Sequence, residues 1–243
     1  MGAYVTCQMV NERVLYQMQD VGMPANPQSG TPTPGGIVTQ YGNIRWTVEE
    51  ILDWITDAQR AITLLRPNSN NFVGVIPLAQ GPRQKLPNGG WFLLTVNNNM
   101  DSTGTKYGRA ITLTTFDMLN RENPNWRSDP PSSIAYNYTF DLTDQKAFFV
   151  WPPNDGTGYC ECNWVKTPDQ HTDMTQIIEL DDIFMPIIVD YCCMRASMKD
   201  AEYGPGLEYS KYFQGLFMAQ LTGKDQAEKE QSPDAALPTK SNR

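Results

Sequence analysis

The stretch that decides the fold is Asp182-Ile-Phe-Met-Pro-Ile-Ile-Val-Asp-Tyr-Cys-Cys-Met-Arg-Ala-Ser-Met-Lys-Asp-Ala-Glu-Tyr-Gly204. It predicts a helix that Asp181 or Asp182 caps and that has Pro186 in its first turn, where few amide donors are needed. One apolar face is expected, made of Ile183, Ile187, Tyr191, Met194 and Met198, with Phe184, Ile188 and Arg195 close by. A second stretch far upstream, Glu50-Ile-Leu-Asp-Trp-Ile-Thr-Asp-Ala-Gln-Arg60, also has a helical pattern. Together the two stretches indicate helices at both ends of the chain.

The upstream stretch lies in the best-defined predicted helix. Thr47 is the expected N-cap, and Glu50, three residues on, completes a capping-box pattern. An apolar stripe at helical spacing follows, made of Val48, Ile51, Leu52, Ile55, Ala58, Ile62 and Leu65. Pro67 ends the pattern. The stripe predicts a helix that packs on a core, with Trp54 next to the stripe.

Two more helices are predicted, at residues 4–20 and 207–222, with Gly223 as the C-terminal stop of the second. A Pro- and Gly-rich loop at 22–45 separates the first helix from the second. After residue 224 the chain is polar. Residues 225–243 have too little apolar surface to fold alone, so we expect an extended tail that becomes ordered when it binds a partner.

Between the helices, the chain changes to the two-residue period that is typical of strands. The predicted strands are 72–78, 91–96, 110–114, 134–140, 147–151 and 159–165, with a loop at 97–105 and a short helix at 116–121. Pro152-Pro153 is expected to end the fifth strand, and the sixth to close the sheet.

This order of elements predicts an α+β fold. The N- and C-terminal helices form a helical bundle, a central antiparallel β-rich region is inserted between them, and the C-terminal tail is flexible. The expected segments are 1–70 (N-terminal helices with the loop 22–45), 71–170 (β-rich region), 171–224 (C-terminal helical pair) and 225–243 (tail).

The composition argues against several classes of function. A net charge of −8 argues against tight nucleic-acid binding, which usually needs a basic face. No apolar run approaches the roughly 20 residues of a membrane helix. The five Cys and the single His, His171 in a polar loop, lack the paired spacing of a zinc site, although Cys160 and Cys162 share a strand face. We therefore expect no metal, no cofactor and no membrane partner.

No sequence motif for catalysis is present. The chain lacks a phosphate-binding P-loop, a dinucleotide fingerprint and a G-x-S-x-G elbow, and one His argues against a His-dependent triad. Two carboxylate pairs leave a glycan or peptidoglycan hydrolase open as an alternative, namely Asp181 with Asp182 and Asp141 with Asp144. Helix capping and turn chemistry explain the same residues without catalysis.

Aromatic side chains in the β-rich region leave a second alternative open. A carbohydrate-binding module would present a platform of Trp side chains, and the candidates are Trp91, Trp126, Trp151 and Trp164. The competing interpretation places them in the core of the strands or under a loop. Exposed Trp side chains would favour the glycan platform, and buried ones would favour the core.

A set of short motifs occurs in order along residues 40–223. They are Arg45-Trp46-Thr47, Leu52-Asp-Trp-Ile-Thr-Asp-Ala-Gln-Arg60, Arg66-Pro67, Leu86-Pro87, Gly108-Arg-Ala-Ile111, Asn123-Pro-Asn-Trp126, Phe148-Phe-Val-Trp-Pro-Pro153, Asp190-Tyr191, Arg195-Ala196 and Lys199-Asp-Ala-Glu-Tyr203. In this order they resemble the head-to-tail adaptor (connector) proteins of short-tailed bacteriophages, of the tail tubular protein A type. The insertion at 24–36 and the tail after 224 depart from that family's pattern.

The resemblance implies a structural virion protein and not an enzyme. Such adaptors form a ring, typically of twelve copies, between the portal and the tail nozzle at the head–tail junction, after assembly in the host cytoplasm. DNA passes through the lumen without specific binding. The resemblance also implies a portal-docking tail, with candidates Pro233, Leu237, Pro238, Lys240 and Arg243, and helix packing within or between subunits, with candidates Trp54, Arg60, Tyr191, Arg195 and Tyr203.

Overall fold

The computed structural model of the chain consists of two compact units. A helical unit combines Met1–Ile62 with Asp169–Arg243, and a β unit is made of Thr63–Pro168. The structure describes residues 4–19, 45–199 and 205–231, and for residues 205 and 224–231 only the backbone. Helices and largely antiparallel sheets are both present, which confirms the predicted α+β class.

The helices begin as the sequence chemistry predicts. In the described residues they are α1 (Cys7–Gln17), α2 (Val48–Leu65), α3 (Phe116–Glu122, in the β unit), α4 (Met185–Lys199) and α5 (Pro205–Gln231). The capping box of α2 is confirmed, because the Glu50 N–H donates to Thr47 Oγ1 at 3.3 Å and the Thr47 N–H donates to Glu50 Oε2 at 3.1 Å. Thr6 caps α1 by accepting the N–H of Met9.

Helix α4 lies at the centre of the helical unit. Its buried residues surround the helix axis: Met185, Ile187, Ile188, Val189, Asp190, Cys192, Cys193, Ala196 and Ser197. A helix that is apolar on all sides must be covered on all sides, and α1 and α5 both pack against it. The buried surface of α4 is therefore wider than the single apolar face that was predicted. The first and last residues of that predicted face, Ile183 and Met198, are exposed.

Ion pairs and a buried polar cluster attach further segments to α2. Arg195 of α4 lies 3.7 Å from Asp57, and Lys199 pairs with Glu50. Gln59 accepts the N–H of Glu179 at 2.8 Å, and its amide nitrogen lies 2.6 Å from Nε2 of His171. Because an amide nitrogen only donates, that ring nitrogen is the acceptor.

His171 lies in a polar loop, as predicted, and the structure shows that its side chain is buried there. Burial is the largest cause that lowers its pKa, which favours the neutral ring that accepts from Gln59. Its backbone N–H also donates to Thr56 Oγ1 at 3.1 Å. Together these bonds attach the segment before α4 to α2.

Both ends of the C-terminal helical pair differ from the prediction. A short 3-10 turn, Asp182–Phe184, precedes α4, and Asp181 makes no side-chain cap there. Helix α5 continues through Gly223 to Gln231, so the predicted stop is wrong and the extended tail does not begin at 225. The residues after Gly223, Lys-Asp-Gln-Ala-Glu-Lys-Glu-Gln, include many strong helix formers, which favour continuation over a cap. Residues 232–243 lie outside the described part.

The β unit contains two four-stranded sheets. Its strands are β1 (Asn71–Pro77), β2 (Gly81–Lys85), β3 (Gly90–Met100), β4 (Tyr107–Ala110), β5 (Thr112–Leu113), β6 (Asn137–Phe140), β7 (Ala147–Asn154) and β8 (Tyr159–Lys166). The strand orders are β1-β8-β3-β4 and β2-β7-β6-β5, antiparallel except for the parallel pair β5–β6. Side chains from both sheets form one core, among them Leu93, Val96, Cys160, Trp164, Tyr138, Phe148 and Val150.

Three strand predictions are corrected by how the strands pair. Strand β8 does not close the sheet, because it lies between β1 and β3. Strand β3 continues through the predicted loop at 97–105 as far as Met100. There the buried side chain of Asn99 donates to the carbonyl oxygens of Arg109 and Ala135 and accepts the N–H of Ala135, which satisfies its polar atoms. Strand β7 continues through Pro152-Pro153, where the β2–β7 register is shifted and ladder donors are not needed.

One further strand prediction fails, and one strand is missed, for reasons of tertiary pairing. The single half-buried strand expected at 110–114 is two short exposed strands, β4 and β5, which belong to different sheets. Strand β2, Gly-Pro-Arg-Gln-Lys, was not predicted, because Gly, Pro and Lys are depleted in strands. Its pairing with β7 imposes the extended conformation that its composition does not favour.

Replacing Ile55 with Asp should unfold the helical unit. Ile55 is fully buried on the stripe of α2, and an unpaired carboxylate there would destabilise the fold by about 4 kcal/mol or more. Leu64→Asp is the matched control, because Leu64 is an exposed residue of the same helix. The measurement is urea unfolding followed by circular dichroism. A cooperative transition of Ile55→Asp at the wild-type midpoint would contradict the burial of the stripe.

Candidate interaction surfaces

An open groove on the helical unit is a candidate site for a partner. It has a volume of about 810 Å³ and lies among α1, α4 and α5. Its lining residues include Met9, Glu12 and Tyr16 of α1, Pro186 and Val189 of α4, and Gln220 of α5. The lining is mixed, with apolar side chains beside charged ones, which is the character of a protein-binding surface and not of an enclosed substrate pocket.

A buried carboxylate lies at the base of this groove. Asp190 of α4 accepts a hydrogen bond from Gln220 Nε2 of α5 at 2.7 Å and another from Gln17 of α1. Burial raises the pKa of Asp190, and the two hydrogen bonds partly oppose that rise. One side chain therefore joins the three helices that border the groove. The sequence resemblance pointed to Asp190, but its two Gln partners could not be identified without the helix packing.

Exposed aromatic side chains mark the outer surfaces of the same helices. Tyr16 of α1 is 78% exposed and Tyr212 of α5 is 61% exposed. Tyr209, also exposed, lies three residues before Tyr212 and therefore on the same side of α5. Tyr is enriched in protein–protein interfaces because it buries a large area with little loss of side-chain entropy. These surfaces are suited to contact another protein.

The helix-packing candidates from the sequence lie in different environments. Trp54 is part of the helical core, and Tyr191 packs edge-on against Phe217 with 5.5 Å between ring centroids. Arg195 pairs with Asp57, and Arg60 is exposed. Tyr203 lies outside the described residues, as do all five tail candidates: Pro233, Leu237, Pro238, Lys240 and Arg243. Of the four described candidates, Tyr191 and Arg195 lie four residues apart on one side of α4, and Arg195 pairs with Asp57 of α2.

One of the two carboxylate pairs proposed for a hydrolase, Asp141 with Asp144, has a structural partner. Arg83 donates to Asp141 at 3.2 Å and to Asp144 at 3.1 Å. Hydrogen bonds from Thr143, and secondarily from Arg83, hold the pKa of Asp141 below its ordinary value. A glycosidase acid needs a raised pKa, so Asp141 has the wrong electrostatics for that role. Asp181 directly precedes the 3-10 turn before α4, and Asp182 is the first residue of that turn.

The Trp side chains of the β unit do not form an exposed platform. Trp126 and Trp164 are buried, while Trp91 and Trp151 are half-buried. The indole N–H of Trp126 donates to Asn120, and that of Trp151 donates to Asp129. The glycan-platform interpretation required exposed rings, so the structure favours the core interpretation.

The cysteines give no sign of redox or metal chemistry. Cys160 and Cys162 share a strand face as predicted, with 3.4 Å between their Sγ atoms, and both are buried. Hydrogen bonding to Cys160 and burial raise the pKa of Cys162, which keeps this thiol protonated and unreactive. Within the described ranges, no group of three His, Cys, Asp or Glu side chains is arranged to hold a metal ion.

Comparison with known proteins identifies the family to which this chain belongs. The model of the SU10 adaptor protein family matches residues 14–237, which is most of the chain. The chain belongs to the SU10 adaptor protein family. It is thus a bacteriophage adaptor, a structural component of the virion. No curated protein matches the chain significantly. None of this adaptor's described helices is both long and apolar enough to cross a membrane.

The stability of this adaptor should depend on the ionisation of Asp190. Because its folded-state pKa is raised, the folded state binds the proton more tightly than the unfolded chain does. This contribution is fully present below the unfolded pKa and is lost as pH rises through the folded pKa. Asp190→Asn stays neutral, so the difference between its urea midpoint and that of the wild type should shift in favour of the variant as pH rises above about 4, the ordinary pKa of an Asp in an unfolded chain.

Asp173→Asn is the control with the opposite sign. Hydrogen bonds from Thr175 lower the pKa of Asp173, so this carboxylate stabilises the fold at neutral pH and loses its effect in acid. The midpoint of Asp173→Asn should therefore fall behind the wild type as pH rises. If the difference between Asp190→Asn and the wild type stays constant as pH rises, the assigned burial effect is wrong.

Proposed function

We propose that this chain forms a ring-shaped adaptor between the portal and the tail nozzle of a short-tailed bacteriophage and shapes the DNA exit channel. The observation that carries the proposal is the match of the SU10 adaptor family over residues 14–237. The order of motifs that resembles the tail tubular protein A type supports the finer assignment and a ring of twelve copies. The electrostatics of Asp141 and the burial of Trp126 and Trp164 weigh against the hydrolase and glycan-binding alternatives.

Contacts between neighbouring copies are assigned to the helical unit. Its core is covered within one copy, yet Tyr16, Tyr209 and Tyr212 remain exposed. Burying one such ring between copies would contribute about 1.5–3 kcal/mol, and a ring of copies repeats each contact. Of the five helix-packing candidates, Trp54, Tyr191 and Arg195 make contacts within a copy, and Arg60 and Tyr203 are proposed to contact the next copy.

Docking on the portal is assigned to the C-terminal tail. Residues 232–243 contain one large aliphatic residue, Leu237, between two Pro, and end in Lys240 and Arg243. Such a segment is too polar to form a core alone but can order on a partner surface. Pro233 and Pro238 restrict the backbone and reduce the entropy lost on binding. Leu237 is the proposed apolar anchor.

The acidic charge suits a channel through which DNA must move. Twelve copies would carry 12 × (−8), or −96 formal charges. A surface of this sign does not neutralise phosphates, so it provides no counter-ion release to hold the duplex. DNA is proposed to pass through the lumen without specific binding. A lumen mapped as basic would contradict this part of the proposal.

Mass photometry of the chain mixed with the portal of the same virus tests the proposal. Twelve copies of 27.4 kDa would add 12 × 27.4 kDa, or about 329 kDa, to the portal particle. Leu237→Asp should reduce portal occupancy about tenfold or more, because it removes the proposed anchor. Thr239→Asp introduces the same charge two residues away and should have a much smaller effect.

The outcomes separate the parts of the proposal. A portal that gains no mass would contradict the adaptor role at this position. A gain that is equal for Leu237→Asp, Thr239→Asp and the wild type would keep the adaptor role and refute docking by the tail. A gain that corresponds to another number of copies would correct the ring of twelve.

A further inference from the structure

Strand β1 forms one edge of its sheet and lacks the usual protection of an edge. It is seven residues long, Asn-Phe-Val-Gly-Val-Ile-Pro, and contains no charged residue. Within the described part of the chain, only β8 pairs with it. Phe72 is 50% exposed, Val73 is 53% exposed and Val75 is 36% exposed. A long, apolar and exposed edge strand readily pairs with another strand.

The remaining sheet edges of this unit are protected. Strand β2 contains Pro82, Arg83 and Lys85, and Arg83 is held by an ion pair. Strand β4 is four residues long and contains Arg109, and β5 has two residues. Short length, charge and proline are the devices that keep natural sheet edges from pairing. The exposed edge of β1 is therefore a particular feature of this strand and not a general property of the unit.

The backbone groups at the free edge belong to alternate residues of β1. The N–H of Leu78 donates to the carbonyl oxygen of Gly158 at 2.8 Å, which continues the β1–β8 register. Because the direction of the backbone groups alternates along a strand, Phe72, Gly74 and Ile76 direct theirs towards β8. Val73 and Val75 therefore direct their N–H and C=O groups away from the sheet. Pro77, which has no N–H, lies on the same outward side.

The sequence of β1 is complementary to itself when a second copy runs antiparallel. With Gly74 opposite Gly74, Val73 lies opposite Val75 and Phe72 lies opposite Ile76. Val73 and Val75 then exchange both backbone hydrogen bonds, and Asn71 can donate to the carbonyl oxygen of Pro77. The central pair, Gly74 opposite Gly74, is not hydrogen-bonded. At such a pair the strands approach most closely, to about 4.5 Å between Cα atoms. Glycine suits that position.

Gly74 also fits the packing within one copy closely. A Cβ atom at this position would lie 3.0 Å from Phe72 Cε1 and 3.0 Å from Trp164 Cη2. These two rings pack against each other with 5.0 Å between their centroids. The glycine thus keeps the aromatic pair in place and leaves the middle of the free edge flat.

We propose that two unassembled copies of this chain pair edge to edge through β1, antiparallel and with a two-fold axis at Gly74. The pairing joins the β1-β8-β3-β4 sheet of one copy to the same sheet of the other copy, which gives one continuous sheet. It also covers the exposed β1 edge of both copies. Two-fold symmetry closes the contact, so it stops at two copies. A ring with a single rotation axis relates its copies head to tail, so this pair belongs to the protein before assembly. The restriction to unassembled copies rests on the proposed ring, whereas the edge pairing itself rests only on β1.

Charge-swapped variants test the pairing directly. One variant carries Val73→Lys with Val75→Lys, and the other carries Val73→Glu with Val75→Glu. Across the two-fold axis each variant places like charges opposite each other, so each alone should be monomeric. An equimolar mixture should form a heterodimer of two 27.4 kDa chains. Light scattering after size-exclusion chromatography, and native mass spectrometry for composition, make the measurement.

A backbone variant and a surface control complete the experiment. Val73→Pro removes an outward-facing N–H and leaves the β1–β8 bonds intact, so dimerisation should weaken at least about tenfold. Leu142→Lys changes a residue that is 87% exposed in the same unit and should dimerise like the wild type. Circular dichroism confirms that each variant is folded.

Three results would overturn the inference. The first is a wild-type chain that stays monomeric at the highest soluble concentration. The second is a dimer that survives Val73→Pro and both charge variants, which would place the contact on another surface. The third is a mixture of folded charge variants that forms no heterodimer. In that case the edge of β1 would instead be expected to pair with an extended segment of another virion protein.

Discussion

The rest of the helical unit depends on the burial of α4. Its side chains are apolar around nearly the whole helix, so no single neighbour can remove them from water. Covering it requires α1 from the start of the chain and α5 from its end. Each buried Ile or Val contributes about 1.5–3 kcal/mol, and this is what joins sequence segments that lie more than a hundred residues apart.

Buried polar groups then determine how the helices are placed within that core. Gln59 is satisfied by His171 and by the backbone of Glu179, and Asp190 is satisfied by Gln220 and Gln17. An unsatisfied buried polar group costs about 1–3 kcal/mol, so a shifted helix would lose these bonds without replacement. Apolar burial holds the unit together, and these bonds select one arrangement of it.

The residues of this adaptor that could suggest chemistry have structural roles in the described part of the chain. Asp141 is held by Thr143 and Arg83, and the Cys162 thiol lies in the core. What remains available is a groove lined by α1, α4 and α5, exposed tyrosines on α1 and α5, and the free edge of β1. These are features that bind proteins, as membership of the SU10 adaptor family requires.

The sequence by itself determined the features that depend on local chemistry and periodicity: the α+β class, the capping box at Thr47, the stripe of α2 and the short helix α3. The sequence also contains the motifs that resemble the head-to-tail adaptor proteins of short-tailed bacteriophages. Only the tertiary structure decided that β8 is an interior strand, that β2 exists, that β7 passes through Pro152-Pro153 and that His171 is buried. The tertiary structure alone also revealed the hydrogen-bond partners of Asp190 and the free edge of β1. The reason is physical: capping and helical periodicity act over a few residues, whereas pairing partners, sheet edges and buried hydrogen bonds depend on segments distant in the sequence.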